Sequence, residues 1–535
     1  MLSQIFLPFA ATLLSYGLFH VLRFVYREVT SPLRHVAGPR NPSFIVGNFM
    51  EMSTDATLTD KWRREFGPNF RFNHLFGIRH LHTADLKAVT HVLTSANYQR
   101  PPSFRDLLRR LMGNGLLSLE LDEHKRQASN QAFGVAQIRL LTETFMEKAI
   151  ELREIWALQV APGNTEARID VLDWLRRMTL DVIGKAGFNH QFDALEGKGK
   201  PNELNDAFTD VFHSPTAERD MGFRFAQSII PILRFLPVPG AKTTKKAREK
   251  MFTISSQIVS TSKANIKASA REKGLSGQRD LLSVLLKSNL STDVPESQRL
   301  TDDEVVSQIP AFFLAGHETT SSAVSWALHA LSLNIAAQSK LREELLTVST
   351  ENPTMDELNS LPYLERVVRE ILRVHTPVVF VTRIAMEDDV LPLSKPYIDK
   401  TGRSHDSFPI PKGQIIYIPI LAIHTDKEIW GEDAAEFRPE RWEHVPDAVS
   451  SIPGIWANLL TFLAGPHNCI GWRFSLVEIK VLLFVLIRAF EFQPAVPKGG
   501  IVSTGDFLQR PTALSDTDKT STLPLIVKPY DAQGH

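Results

Sequence analysis

The sequence predicts a mainly α-helical protein with small β-sheets (an α+β fold), and two patterns of apolar residues support this fold class. From about residue 135 to residue 350, long segments repeat apolar residues with helical spacing. Within residues 376–420, short β-branched runs such as residues 378–381 and 415–418 are broken by Pro and Gly, which is typical of short strands. We therefore expect a helix-rich domain that contains a small sheet.

The composition excludes several classes of protein. Lys and Arg total 60 and Asp and Glu total 60 among 535 residues, so the chain lacks the basic excess of a nucleic-acid-binding protein, and we expect no nucleic-acid partner. One cysteine forbids an internal disulfide. It also excludes a Cys-rich zinc site or an iron–sulfur cluster held by this chain alone. A site that needs a single thiolate is compatible with this composition.

An apolar segment near the amino terminus predicts a membrane anchor. Residues 5–22 contain no Asp, Glu, Lys or Arg, and a membrane-spanning helix needs roughly 17–25 mostly apolar residues. A cleaved signal peptide and a segment lying in the membrane interface are the alternatives. Arg23 and Arg27 come after the segment and no basic region precedes it, which disfavours a signal peptide and favours a cytosolic position for the rest of the chain. We predict a single-pass anchor within residues 1–28 and a cytosolic domain over residues 29–535.

One long predicted helix carries a polar segment near its middle. Thr301 and Glu304 fit a capping box at the helix start, and the apolar pattern continues to about Leu333. Residues 315–320 (AGHETT) place a glycine before hydroxyl side chains, which lets a helix open locally. A glycine at a helix contact with solvated polar neighbours is the alternative. The segment is not a zinc-protease motif, because Ser321 stands where the second histidine would be.

A second helix carries a charged pair close to its end. Glu370 and Arg373 lie three residues apart on one helix face, just before Pro377. Such pairs are usually surface ion pairs worth about 0.2–0.5 kcal/mol. Arg441, in a Pro-containing segment with aromatic neighbours, is a candidate third member. A buried cluster of these three residues would need all its partners to offset the loss of hydration.

Residues 462–471 (FLAGPHNCIG) carry the strongest chemical signal in the chain. Gly465 and Gly471 allow the backbone to approach a flat cofactor closely, and Cys469 precedes an apolar run that predicts a helix. Free amides and the dipole at a helix start lower the pKa of a thiol and favour the thiolate. A lone buried cysteine is more often a small apolar residue, but the glycines and the helix entry favour a metal ligand.

These motifs, in this order, resemble the cytochrome P450 family, and their details look like fungal microsomal members. The resemblance runs from the Pro-rich segment after the anchor to the end of the chain. It implies the P450 fold with one amino-terminal transmembrane helix and a haem-thiolate catalytic domain over residues 29–535. It also implies haem b as the cofactor, with Cys469 as the axial ligand of the iron and Phe462 beside the sulfur. Glu318 and Thr319 would form an acid–alcohol pair that relays protons toward the haem.

The resemblance also implies the residues that hold the haem propionates, and here the sequence departs from the family. Arg383 matches the usual propionate-binding arginine, and His124 resembles a second propionate ligand, with an exposed helix position as the alternative. His467 stands where the family has Arg, and Ala128 stands where it has a basic residue. Because His is not permanently charged, we expect a weaker or more pH-sensitive hold on haem.

By the same resemblance, the activity is insertion of one oxygen atom from O2 into a lipophilic substrate, such as a terpenoid, steroid or polycyclic aromatic, in secondary metabolism or xenobiotic oxidation. Electrons would come from an NADPH–cytochrome P450 reductase, with cytochrome b5 as a second candidate donor, at the endoplasmic reticulum membrane. The alternatives are a haem-thiolate isomerase or dehydratase that acts on peroxides without a reductase, and a non-catalytic haem-binding protein. Glu318 and Thr319 favour the monooxygenase, since the alternatives need no proton relay.

By family position, the substrate pocket should draw on four segments of the chain. These are residues 103–117, residues 223–235, Phe312 with Phe313, and residues 378–381. Most of their side chains are bulky and uncharged, which favours a lipophilic substrate over a charged one.

Overall fold

The computed structural model describes most of the chain. The described residues are 2–54, 58–128, 131–160, 165–196, 241–271, 280–290, 295–504, 507–515 and 521–531, with the single positions 204, 206, 207, 223, 227, 233, 235 and 236.

Helices dominate the described residues, and the strands are short, so the predicted fold class is confirmed. The helices are α1 (Leu2–Thr30), α2 (Phe49–Thr54), α3 (Leu58–Phe66), α4 (Leu86–Thr94), α5 (Pro102–Met112), α6 (Leu121–Ala128), α7 (Val135–Val160), α8 (Val171–Val182), α9 (Ala241–Arg271), α10 (Leu281–Leu290), α11 (Asp302–Leu333), α12 (Ile335–Leu346), α13 (Met355–Asn359), α14 (Pro362–Val374), α15 (Ile420–His424), α16 (Lys427–Trp430) and α17 (Trp472–Ala489). The strands are β1 (Asn69–Asn73), β2 (Arg79–Thr83), β3 (Tyr98–Gln99), β4 (Ala167–Asp170), β5 (Val381–Ala385), β6 (Asp389–Ile398), β7 (Ser404–Ile410), β8 (Ile415–Ile418), β9 (Phe490–Pro494), β10 (Ile501–Thr504), β11 (Arg510–Ala513) and β12 (Pro524–Pro529).

The chain packs as two compact units. The first unit comprises Met1–Gln99, Phe380–Ile423 and Ser451–Pro453, and the second comprises Arg100–Val379, His424–Ser450 and Gly454–His535.

The first unit is built around a five-stranded sheet in the order β1-β2-β8-β5-β3, beside the separate hairpin β6-β7. Strand β8 pairs in parallel with β2 and antiparallel with β5. Phe70 and Phe72 of β1 and Tyr417 of β8 form a hydrophobic core with Trp62 of α3. The run 415–418 forms β8, so this predicted strand is confirmed. The prediction for residues 378–381 is wrong in its bounds, because only Val381 lies in a strand, β5, and Val378 forms an isolated bridge with Leu508.

The amino-terminal segment forms the single helix α1, whose end is hydrogen-bonded to strand β2 of the same unit. Arg79 Nη1 donates to the backbone oxygen of Glu28 at 2.6 Å and to its Oε2 at 3.1 Å. Within the part of the chain that the structure describes, no helix has both the length and the apolar character needed to cross a membrane. The structure thus does not support the predicted transmembrane helix. Polar residues such as Ser15 and His20 interrupt the apolar run.

The second unit is organised by helix α11, most of which is buried. Thr301 Oγ1 accepts the N–H of Glu304, and the Glu304 carboxylate accepts the N–H of Thr301, so the predicted capping box is confirmed. Helix α11 packs against α8 and α17, and α17 packs against α7. The sheets β4-β12-β9 and β10-β11 complete the unit. This arrangement places the polar middle of α11 and the cysteine segment before α17 in one unit.

Candidate functional site

The cysteine segment is a tight loop held by backbone contacts. Cys469 N–H donates to the oxygen of Phe462 at 2.9 Å, which brings the two predicted residues together. Leu463 has φ 57° and Gly465 has φ 69°, so two nearby residues adopt a left-handed conformation. A side chain at Gly454 would place its Cβ 1.9 Å from the oxygen of Leu459, so the loop entry requires glycine. The backbone strain at Leu463 is a feature often found at functional sites.

The environment of Cys469 differs from the one that we expected. Its side chain is accessible to solvent, yet enough protein atoms surround it that burial raises the pKa of the thiol to about 11, although the N–H of Gly471 lowers it. The predicted lowering by the helix-start amides is present, but loss of hydration outweighs it, so the pKa is raised and the predicted net direction is wrong. A bound metal cation deprotonates a coordinating thiol outright. An accessible single thiol beside left-handed backbone fits a cofactor whose metal takes one thiolate.

The polar middle of α11 includes both a packing glycine and an accessible turn. A Cβ on Gly316 would lie 3.0 Å from Ile183 Cδ1, so this glycine lets α11 approach the π-helical turn Ile183–Gly187. Ala315 is exposed and Thr319 is half-buried, although most neighbouring residues of the helix are buried. Thr319 Oγ1 donates to the oxygen of Ala315 at 2.7 Å. The threonine hydroxyl is thus held at an accessible turn of the helix.

Glu318 is buried and surrounded by basic side chains. Its Oε2 lies 3.1 Å from Arg510 Nη2, and its Oε1 lies 3.7 Å from Arg176 Nε and 3.4 Å from His317 Nε2. Because a buried carboxylate without partners is costly, the two guanidinium groups explain how Glu318 is kept at 4% exposure. Sequence reasoning missed Arg176 and Arg510, because they lie in α8 and β11 and belong to no motif.

Two predicted propionate residues meet in the second unit. The rings of His124 and His467 lie edge to face with centroids 4.3 Å apart, and His124 is 4% exposed, so its alternative as an exposed helix residue is wrong. His467 Nε2 lies 2.6 Å from Glu120 Oε2, and Arg100 Nη1 lies 3.4 Å from Glu120 Oε1. Burial raises the pKa of Glu120, but the hydrogen bond to His467 and the charge of Arg100 outweigh it and hold the pKa below its usual value.

Arg383, the third predicted propionate residue, belongs to the first unit. It lies in β5 at 3% exposure, and its Nη1 donates to the oxygen of Thr382 at 2.9 Å. The other predicted site residues, which are Cys469, Phe462, Gly465, His467, Gly471, His124, Glu318 and Thr319, belong to the second unit.

The predicted cluster of Glu370, Arg373 and Arg441 is confirmed. Arg373 donates to both carboxylate oxygens of Glu370 at 2.9 and 2.7 Å, and Arg441 Nε donates to Glu370 Oε1 at 3.3 Å. Trp442 Nε1 adds a bond to Glu370 Oε2 at 3.0 Å. Glu370 and Arg373 are both 0% exposed, so this is a buried cluster and not a surface ion pair.

Sequence reasoning also missed a buried carboxyl on α17. Glu478 is 0% exposed, and burial raises its pKa well above the ordinary value despite the nearby Thr320 hydroxyl. Burial therefore favours the neutral form of Glu478, which lies next to the helix that carries the AGHETT segment.

Comparison with known proteins agrees with this arrangement. The family model "Cytochrome P450" matches residues 37–514. Cytochrome P450 monooxygenase 205 of Postia placenta is 47% identical over 514 residues, which cover 95% of this chain and 94% of the relative. Cytochrome P450 monooxygenase 128 of the same fungus is 46% identical over 536 residues, covering 98% of each chain. Cytochrome P450 monooxygenase claQ of Ampulloclitocybe clavipes is 36% identical over 488 residues, covering 89% of this chain and 88% of the relative. The chain therefore belongs to the cytochrome P450 family of haem-thiolate monooxygenases.

Proposed function

We propose that this monooxygenase ligates the iron of haem b through Cys469 and inserts one oxygen atom from O2 into a lipophilic substrate. An NADPH-dependent reductase would supply the electrons, with cytochrome b5 as a second candidate donor. The observation that carries the proposal is the loop in which Phe462 accepts the N–H of an accessible Cys469. A single solvent-accessible thiol, fixed at its backbone, suits a metal that takes one axial thiolate.

The haem would supply the oxygen chemistry, and the residues of the chain would bind and orient the haem. Bound haem activates O2, and a cysteine thiolate ligand favours cleavage of the O–O bond. Cys469 provides that ligand, and its hydrogen bond to Phe462 fixes the backbone from which the sulfur projects. The left-handed backbone at Gly465 and the absence of a side chain at Gly471 let the loop lie close to a flat ring.

The propionates would be held by His124 and His467. The contact between the two rings supports this role, as does the burial of His124. Each side chain can donate a hydrogen bond to a carboxylate.

Protons would reach the oxygen site through Glu318 and Thr319. The Thr319 hydroxyl both donates and accepts hydrogen bonds, and it lies at the accessible turn of α11. The guanidinium groups of Arg510 and Arg176 lie beside the buried carboxyl group of Glu318. Glu318 therefore holds and exchanges the proton, and Thr319 passes it toward the haem side of the helix.

The residues around the proposed pocket favour an apolar substrate. Phe104 contacts Phe507 with ring centroids 6.3 Å apart, and Phe312 contacts Phe133 at 5.4 Å. Phe313 instead is 1% exposed, so it belongs to the core. Most of the predicted pocket segment 223–235 lies outside the described residues. These aromatic contacts support a terpenoid, steroid or polycyclic aromatic substrate, in secondary metabolism or xenobiotic oxidation.

We further propose that residues 1–28 attach the catalytic domain, residues 29–535, to the cytosolic face of the endoplasmic reticulum membrane. The support is a row of exposed apolar side chains on α1, including Leu14, Phe19 and Leu22 at 73%, 59% and 58% exposure. Exposed apolar surface of this kind favours contact with lipid. A variant lacking residues 1–28 should leave the microsomal fraction for the supernatant, and equal membrane retention of both forms would contradict the proposal.

The oxidation itself is tested with purified protein, a fungal NADPH-dependent reductase and a panel of terpenoids, steroids and polycyclic aromatics. We expect a substrate-induced shift of the haem spectrum, followed by NADPH-dependent hydroxylated product. Cys469→Ser should bind less haem and should lose the absorption band of a thiolate-ligated ferrous–carbonyl haem. Turnover of a peroxide without NADPH would instead show an isomerase or dehydratase, and haem binding without any turnover would show a non-catalytic protein.

A further inference from the structure

A buried histidine that belongs to none of the sequence motifs contacts the loop that carries Cys469. Leu460 N–H donates to His424 Nε2 at 2.8 Å, and both residues are 0% exposed. Leu460 begins the 3₁₀ turn Leu460–Phe462, whose N-cap residue Leu459 makes no side-chain capping bond. The first N–H groups of such a turn have no partner within it. The imidazole of His424 therefore fulfils the role of an N-cap, although it comes from the end of α15.

The backbone of His424 is itself held by the buried cluster. Its carbonyl oxygen accepts a hydrogen bond from Arg373 Nη1 at 2.7 Å, and Arg373 is fixed by its two bonds to Glu370. The next residue of the turn is held separately, because Thr461 Oγ1 donates to the oxygen of Leu372 at 2.7 Å. Helix α14 is thus connected to the turn by two sets of hydrogen bonds, one through Thr461 and one through His424.

The 3₁₀ turn sets the backbone of the cysteine. Leu463 N–H donates to the oxygen of Leu460 at 2.9 Å, and Phe462 accepts the N–H of Cys469 at 2.9 Å. Leu463 lies between these contacts at φ 57°, a conformation that a leucine keeps only when its surroundings impose it. Loss of the bond at Leu460 would leave a buried N–H without a partner and let the strained residue relax.

We propose that His424 is a positioning residue for the cysteine ligand, whose Nε2 caps the turn at Leu460 and thereby fixes where the Cys469 sulfur meets the iron. The inference rests on the proposed ligand role of Cys469. It requires a lone pair on Nε2, hence a neutral imidazole with its proton on Nδ1. Burial, together with the charge of Arg373, lowers the pKa of His424 to about 3, which agrees with a neutral imidazole.

Two amide variants separate the acceptor from the rest of the side chain. In His424→Gln, the side-chain oxygen reaches the position of Nε2, whereas in His424→Asn the shorter side chain places its oxygen near the position of Nδ1. His424→Phe fills the volume without any acceptor. The readout is the rate at which the ferrous–carbonyl complex of each haem-loaded variant loses the absorption band of thiolate ligation, with haem content and thermal midpoint measured in parallel.

We expect His424→Gln to keep the native rate within about twofold, and His424→Asn and His424→Phe to lose the band at least about tenfold faster, as a missing hydrogen bond to a buried N–H predicts. Equal rates in all three variants and the native protein would overturn the proposal, as would a His424→Gln variant as fast as His424→Phe. A native protein without the thiolate band, or with a band that survives Cys469→Ser, would instead show that the proposed ligand is wrong.

Discussion

Replacing Arg373 with Lys tests whether the buried cluster depends on the shape of the guanidinium and not only on its charge. Arg373 donates five hydrogen bonds, two to Glu370 and one each to the backbone oxygens of His424, Ala434 and Glu436. An ammonium group carries three protons, so at least two of these five hydrogen bonds are lost in Arg373→Lys. At about 1.5–3 kcal/mol for each hydrogen bond that involves a charged group, the loss of stability is about 3–6 kcal/mol.

Arg366→Lys is the matched control, because it makes the same chemical change on the same helix. Arg366 pairs with Glu443, and both side chains are partly exposed, at 29% and 39%. Exposed pairs of this kind contribute about 0.2–1 kcal/mol, so this variant should be near native. Native folds are stable by only about 5–15 kcal/mol in total. The loss predicted for Arg373→Lys is therefore a large fraction of the whole.

The measurement is urea unfolding of the haem-loaded proteins, monitored by circular dichroism and by the haem absorption. We expect a clearly lower midpoint and a lower haem content for Arg373→Lys, and values close to native for Arg366→Lys. If the two variants lost the same stability to within about 1 kcal/mol, the donor count at Arg373 would not be what holds the cluster, and the reasoning would be refuted.

Three further predictions concern other charged or titrating groups. Burial lowers the pKa of His375 to about 3, so on acidification the unfolded state takes up the proton first and the fold loses stability below about pH 6.5. In His375→Phe, the free energy of unfolding should fall less steeply from pH 6 to pH 4, with a slope smaller than the native one by up to about 1.4 kcal/mol per pH unit. A slope equal to the native one, measured by urea titration at each pH, would contradict this. Arg510→Gln removes a cation from Glu318 and should lower the product formed per NADPH consumed, by about tenfold or more if proton supply becomes limiting. Arg510→Lys should retain most of it, and equal coupling in both variants would argue against a role in proton supply. His467→Arg should slow haem transfer to an apo-globin acceptor, and a faster transfer would show that the histidine suits its surroundings better than the familiar arginine.

The parts of the site that could be predicted from sequence are those set by short spacing. Glu370 and Arg373 lie one helical turn apart, so their contact is a consequence of local geometry. The capping box that begins with Thr301 is local in the same sense. Each of these predictions needed only the period of a helix or the conformation of a turn.

The partners of Glu318 and His467 were beyond such reasoning, because tertiary packing brings them together. Arg510 lies in β11 and Arg176 in α8, and neither has a spacing that marks it as a partner of Glu318. The pKa of Cys469 was predicted in the wrong direction for a related reason. The sequence shows that a helix starts after this residue, but it does not show how many atoms surround the sulfur.

This chain has His467 where the family has an arginine, and a nearby arginine, Arg100, supplies a permanent positive charge instead. An arginine at this position would carry a permanent positive charge. It would face the carboxylate of Glu120, which lies 2.6 Å from His467 Nε2 in this structure. That carboxylate keeps its negative charge, since its pKa is held below the usual value, and it would repel a propionate if nothing balanced it. Arg100 supplies the balance from 3.4 Å on the other carboxylate oxygen. The proposed propionate site therefore depends on Arg100 as well as on the two histidines. In the sequence, His467 in place of arginine looks like the loss of a cation, but in the structure Arg100 balances the charge of the Glu120 carboxylate.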